Sequence, residues 1–216
     1  MKKGTRFKKQ VLTSHYFTPS YNSLERFSSY QMQIDYCIKV KPKSVLEIGI
    51  GNRIVSNFLK VNGINVVTCD FDETLRPDVV ADVRKLPFKN DKFDLVMACQ
   101  ILEHIPFEDV PKALNSVYRI TKKNVIISLP YNTFNLYGVI KCMPFVKPIK
   151  FQLRLFEYSF MEHNKNVGTG EHYWEMGKKN YSLNMVREIL KTPGFKIISE
   201  NSPYINPAHY FFLLEK

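Results

Sequence analysis

Cysteine is scarce in this chain of 216 residues, and Cys37, Cys69, Cys99 and Cys142 stand far apart with no CxxC among them. That spacing excludes a disulfide frame and a cysteine zinc site. It reads as reduced core thiols of an intracellular, cytoplasmic protein. An apolar run of about 18 residues is also missing, so no membrane span is expected. The first fifteen residues hold Lys2, Lys3, Arg6, Lys8 and Lys9 without an apolar stretch, and do not form a secretory signal. Internal repeats and low-complexity tracts are absent. Acid is in deficit: Lys+Arg 31 against Asp+Glu 20 leaves a net charge of +11. Such a balance favours polyanions, whether nucleic acid, an anionic membrane or a phosphorylated substrate. No RNP-type aromatic pair and no GXXG loop flanked by basic residues accompanies it, and a solvated lysine-rich surface gives the same balance. Aromatics, at 13%, are too many for a disordered chain, and the length fits one domain with one substantial core.

Apolar spacing lays out the elements. Leu24, Phe27, Tyr30, Ile34, Cys37 and Ile38 recur every three or four residues, which predicts an amphipathic helix over 21–40, ending before Pro42. Strands are expected at 44–48, 65–69, 79–81, 93–98 and 124–129, and helices at 52–61, 109–121 and 182–191. Only nine residues, 70–78, separate the second strand from the third, too few for a crossover with a normal helix. The helix there is missing or reduced to a turn. Two closing strands, 195–199 and 210–215, lie close in sequence and are expected to run antiparallel. Residues 131–180 break the pattern with mixed aromatic and basic residues, and read as a functional insertion or lid. The chain is thus one domain: a basic tail and helix (1–43), a core (44–130), the insertion (131–180), and a last helix with two strands (181–216). Its fold class is α/β, a Rossmann-like, doubly wound and mostly parallel sheet with an antiparallel C-terminal strand.

The most informative run is Val45-Leu46-Glu47-Ile48-Gly49-Ile50-Gly51-Asn52. An apolar strand ends there in a glycine turn ahead of a helix. Gly49 and Gly51 let the backbone take positive φ and approach a ligand closely, and the first helical N–H groups point back at the same spot. Such a unit binds a nucleotide-like cofactor at the carboxyl ends of parallel strands. A dinucleotide site would carry an apolar residue in place of Glu47 and a third glycine where this chain has Ile54, so a nicotinamide oxidoreductase is disfavoured. Asp70 closes the second strand, where a carboxylate can accept both ribose hydroxyls of an adenosine; a turn or helix-cap Asp fits the position too.

Glu47-Ile48-Gly49-Ile50-Gly51 resembles the first motif of the class I S-adenosylmethionine-dependent methyltransferases, of the type 11-like kind found in small bacterial and archaeal proteins. Asp82-Val83 followed by Leu86-Pro87-Phe88, then Phe93-Asp94-Leu95-Val96 leading through Gln100 to Leu102-Glu103-His104-Ile105, matches the later motifs in order. The resemblance covers about 44–105. It implies S-adenosyl-L-methionine as cofactor, with Asp82 meeting the adenine amino group, the following N–H a ring nitrogen, and Asp94 structural. Glu47, Gly49, Ile50, Gly51, Asn52, Asp70, Phe71, Asp82, Val83 and Gln100 would line its pocket. Departures narrow the acceptor. Where nucleic-acid amine methyltransferases carry Asn/Asp-Pro-Pro-Tyr/Phe, this chain reads Ala98-Cys99-Gln100-Ile101, and there is no Pro-Cys nucleophile.

Methyl transfer from a sulfonium is an in-line displacement served by orientation, though an O or N acceptor can need a base. His104, His172 and Glu175 are the catalytic candidates, and the resemblance also implies a structural histidine behind the cofactor at His104. The segment Gly170-Glu171-His172-Tyr173-Trp174-Glu175-Met176-Gly177 fits either an acceptor pocket or a lid packed through Tyr173 and Trp174. A metal site from His163, Glu171, His172 and Glu175 has only generic spacing, and no metal is expected. The Glu-His-x-Trp-Glu-x-Gly segment and the stretch 206–212 look like small bacterial methyltransferases of surface-glycan or other small-molecule pathways. The expected partner is therefore a small-molecule or glycan-type acceptor. An RNA substrate and a catalytically idle cofactor-binding subunit stand as rivals.

Overall fold

The computed structural model describes residues 12–141, 145, 147–162 and 172–216. After a 3-10 turn at Thr13–Phe17 comes α1 (Leu24–Val40), whose first turn is capped by Ser23 accepting from the Arg26 N–H. Then follow β1 (Ser44–Ile48), α2 (Ile54–Val61), β2 (Asn65–Asp70), β3 (Val79–Val80) and β4 (Phe93–Cys99). The chain continues through α3 (Val110–Ile120), β5 (Thr121–Pro130), β6 (Thr133–Ile140), β7 (Ile149–Glu157), α4 (Leu183–Lys191), β8 (Lys196–Asn201) and β9 (His209–Glu215). As the spacing predicts, a 3-10 turn at Glu73–Leu75 replaces a helix between β2 and β3.

Seven strands form one sheet in the order β3-β2-β1-β4-β5-β9-β8. The first five are parallel, and β9 runs antiparallel between β5 and β8. Alternate residues of a strand face opposite sides. On β4, Val96 and Ala98 join α3, α4 and Trp174 in one core, while Leu95 and Met97 join α1 and α2 in the other. A sheet covered on both faces needs near-continuous apolar strands, which is why β1, β4 and β5 read so clearly in the sequence. Asp94 is structural as expected: its carboxylate accepts from the N–H groups of Lys43 and Ser44 and from the Ser44 hydroxyl, fixing the start of β1. Among the described residues no helix is long and apolar enough to cross a membrane.

The stretch read as an insertion or lid holds two strands that the sequence pattern does not mark. β6 and β7 pair into a two-stranded antiparallel arm outside the main sheet. Both faces of the arm are largely exposed, with Phe134, Leu136, Val139, Phe151, Leu153 and Phe156 open to solvent. A strand buried on neither face carries no alternation of apolar and polar residues, so the usual signal is missing. Cys142, the first eleven residues and the Gly168-Thr169-Gly170 link lie outside the described residues.

Candidate active site

A cavity of about 640 Å³ opens at the carboxyl ends of β1, β2 and β4. All ten residues expected at the cofactor line it, from Glu47 and the glycine loop through Asp70, Phe71, Asp82 and Val83 to Gln100. Gly49 lies at φ +79° and donates its N–H to the Cys69 carbonyl at 2.8 Å, tying the loop to β2. A Cβ on Gly49 would stand 1.9 Å from the Ile101 methyl, and one on Gly51 (φ +44°) 3.2 Å from the Tyr21 hydroxyl. The loop is therefore a cradle that side chains would fill.

Asp70 is buried and holds this cradle in shape. One carboxylate oxygen accepts from the Ile50 N–H and the other from the Asp72 N–H, each at 3.0 Å. Burial raises its pKa, while those two N–H bonds pull the other way. Glu47 is buried beside it with Oε2 lacking a hydrogen-bond partner, and burial pushes its pKa up to about 7. Asn52 donates to the Asn22 side chain at 2.6 Å and to the Tyr30 hydroxyl at 2.9 Å, which binds the loop to α1 and its lead-in. Gln100 takes φ +57° and anchors to Ser128 through both its backbone and side-chain N–H groups. Asp82 caps the 3-10 turn Val83–Lys85 and is gripped by the Arg84 guanidinium; burial opposes ionisation there, but Arg84 holds the carboxyl below its usual range.

Of the three catalytic candidates, His104 and His172 line the cavity and Glu175 does not. The two imidazoles meet edge to face with centroids 5.0 Å apart. Glu175 sits behind His172, with Oε1 2.6 Å from Nδ1. Its other oxygen accepts from Asn132 at 2.9 Å and pairs with Lys178 at 2.6 Å. Burial would raise the Glu175 pKa, but His172 and Lys178 prevail and hold it at about 2. Trp174 settles on the packing side of the two readings. It is fully buried, donates to the Leu102 carbonyl at 3.1 Å and meets Phe107 edge to face, so it is no stacking platform for a ligand. None of the described residues 133–162 lines the cavity. Glu171 and His163 lie outside the described residues.

Several lining residues are beyond the sequence reading. Tyr16, Tyr21 and Arg26 come from the amino-terminal side, and His209 from the start of β9. The His209 Nδ1 lies 2.9 Å from the Ser29 hydroxyl, and its pKa is driven down to about 3 by burial, then by the charges of Arg26 and His172. The polar Asn206-Pro207-Ala208-His209 stretch just ahead of an apolar strand is the only sequence signal that marks it.

A mostly parallel sheet in this order, with a glycine cradle and an acid closing β2, defines a nucleotide-cofactor domain of the class I methyltransferase type. Residues 46–129 match the methyltransferase domain family, so the chain carries an S-adenosylmethionine-dependent methyltransferase domain of class I type over that stretch, with S-adenosylmethionine as cofactor. Among similar solved structures is an S-adenosylmethionine-dependent methyltransferase from Clostridium acetobutylicum. It is 15% identical over 94% of this chain and 99% of that one, with a TM-score of 0.60. A second, from Archaeoglobus fulgidus, is 17% identical over 94% and 99% of the two chains, with a TM-score of 0.59. The 1,6-didemethyltoxoflavin-N1-methyltransferase of Burkholderia thailandensis, holding 1,6-didemethyltoxoflavin and S-adenosylhomocysteine, is 14% identical over 94% and 86%, with a TM-score of 0.59. At such identities the likeness is one of fold. No curated protein matches the chain in sequence.

Proposed function

We propose that this methyltransferase acts on an oxygen or nitrogen of a small-molecule, sugar-like acceptor. The acceptor sits at the end of the cavity where His104 and His172 stand. The single observation behind this reading is that the Glu175–His172 pair backs onto the same cavity as the glycine cradle. A carboxylate behind Nδ1 fixes the ring tautomer and leaves Nε2 to take a proton, the arrangement of a general base. The cofactor supplies an electrophilic methyl group on a sulfonium. The chain's own residues orient the reactants. The N–H groups of Gly51 and Asn52 and the carboxylate of Asp70 receive the ribose and methionine parts, Phe71, Asp82 and Val83 the adenine, and Glu47 and Gln100 the region of positive charge. His104 stands beside His172 as a second proton acceptor or as a wall.

The cavity has the size of small-molecule sites, typically about 300–1,000 Å³. RNA is less well served. The basic residues Lys141, Lys147, Lys150 and Arg154 belong to the arm and its tip, away from the cavity. Arg154 is also occupied, its guanidinium lying against the rings of Tyr131 and Tyr210 at 4.7 and 4.8 Å. The buried thiols Cys37 and Cys69 suit the reducing cytoplasm. Calorimetric titration with S-adenosylhomocysteine, with NAD as control, tests the cofactor site: binding is expected for the first alone and lost in Asp70→Ala. Turnover in an acceptor screen then separates an enzyme from an idle subunit. His172→Ala is expected to keep cofactor affinity and lose methyl transfer by about 100-fold or more. Equal turnover in wild type and His172→Ala would remove the proposed base.

A further inference from the structure

We infer that Glu103, His104 and His172 form a site for one divalent transition-metal ion, Zn²⁺ first among them, in the wall of the cavity. One ligand atom from each of the three lies within 4.8 Å of the other two. Two imidazoles and a carboxylate are a donor set for Zn²⁺ in which positions stay open for a further ligand. The hard, oxygen-seeking Mg²⁺ is poorly matched by it.

Glu103 supplies the independent observation. Its side chain is fully buried, yet neither carboxylate oxygen has a hydrogen-bond partner, and the His104 Nε2 stands 4.0 Å from Oε1. An unsatisfied buried carboxylate is costly, and a bound cation removes the cost. The backbone around it is deliberately fixed. The Glu103 carbonyl accepts from the Tyr173 N–H at 2.7 Å and the neighbouring Leu102 carbonyl from the Trp174 indole, so the 102–104 turn and the 172–174 segment are clamped together. His172 also has the outer partner that metal-bound histidines keep. Glu175 holds its Nδ1, and Asn132 and Lys178 hold Glu175 in turn.

The ion's role in turnover rests on the methyl-transfer reading, while its binding does not. Seated there, the ion would hold an acceptor oxygen as its anion near neutral pH and would replace proton transfer to His172, which then serves as a ligand and not as a base. The test uses the full chain freed of metal with a chelator. Zn²⁺ is titrated by calorimetry, and Co²⁺ is followed by its visible absorption. One equivalent of Zn²⁺ is expected, with affinity reduced about tenfold or more in Glu103→Gln and in the more exposed His172→Ala. The Co²⁺ spectrum is expected to report nitrogen ligation that either change abolishes. S-adenosylhomocysteine binding serves as the fold control for both variants. The inference is overturned if the wild type binds no Zn²⁺ below millimolar concentration. It is equally overturned if affinity stays unchanged in both variants while cofactor binding is intact. Zn²⁺ binding without S-adenosylhomocysteine binding in the wild type would uphold the metal site and sink the methyl-transfer reading.

Discussion

Gly49 carries two demands that no other residue meets, a φ of +79° and a clear space where a Cβ would strike Ile101. Gly49→Ala is expected to cost about 1–2 kcal/mol in urea unfolding, from the left-handed backbone alone. Because the strained loop is also the cradle, S-adenosylhomocysteine affinity should fall about tenfold or more, readable in the same calorimeter. Glu47 gives a pH dependence. Burial raises its pKa from 4.5 to about 7, so the cofactor-free fold prefers it protonated. Its contribution to stability is present below about pH 4.5 and is lost as pH rises through about 7. Glu47→Gln should therefore be the more stable protein above pH 7, by up to about 3 kcal/mol. With the cofactor placed as proposed, the preference reverses, because a sulfonium and an ammonium favour the carboxylate. Affinity for S-adenosylmethionine should rise between about pH 5 and 7 and level off, and Glu47→Gln should flatten that rise. Both residues were legible in the sequence, since backbone geometry and a lone acid in an apolar strand leave local marks. Tyr21, Arg26, Glu103 and His209 were not. Their role comes from where distant segments meet; a motif around Glu103 and a polar stretch before His209 mark the neighbourhood of those two but not what they do there.

Trp174 shows how an element-scale contact positions a residue-scale function. Its buried indole ties the 172–177 segment to the 102–104 turn and to Phe107 in the 3-10 turn ahead of α3. Trp174→Ala should cost about 3–5 kcal/mol in equilibrium unfolding, and should also loosen His172 from its place. Trp174→Phe keeps the ring and drops the N–H, so a loss of about 1 kcal/mol with methyl transfer retained is expected. If the two variants lose activity equally, the indole N–H itself would be the determinant, not the packing. Elements differ in how plainly they are written. Strands β1, β2, β4 and β5 are covered on both faces and show as apolar runs, and the helices show as three-and-four spacing with Ser23 or Ser182 as caps. The β6–β7 arm is covered on neither face, so its strands hide in what reads as an insertion. The same physics of burial that exposes the core strands to reading conceals the arm.

At the scale of the molecule, the cavity is lined in part by chain that belongs to neither hydrophobic core. None of residues 12–22 is buried, and none belongs to either core. Yet Tyr16 and Tyr21 lean over Gly51, Asn22 meets Asn52, and the Thr13 and Thr74 hydroxyls lie 3.0 Å apart between the lead-in and the turn after β2. A segment that contributes little to the core but covers a ligand acts through the bound state alone. Removing residues 1–22 leaves the Ser23 cap of α1 in place, so thermal stability without cofactor should stay close to that of the full chain. With saturating S-adenosylhomocysteine the two should separate. A tenfold weaker affinity takes about 1.4 kcal/mol from the ligand's stabilisation, which a domain of this size shows as roughly 3–6 °C less thermal shift. Paired melting curves, each with and without S-adenosylhomocysteine, measure both quantities at once. An equal shift in the two proteins would assign the lead-in to the acceptor side of the cavity, whereas a lower melting point without ligand would make it part of the fold.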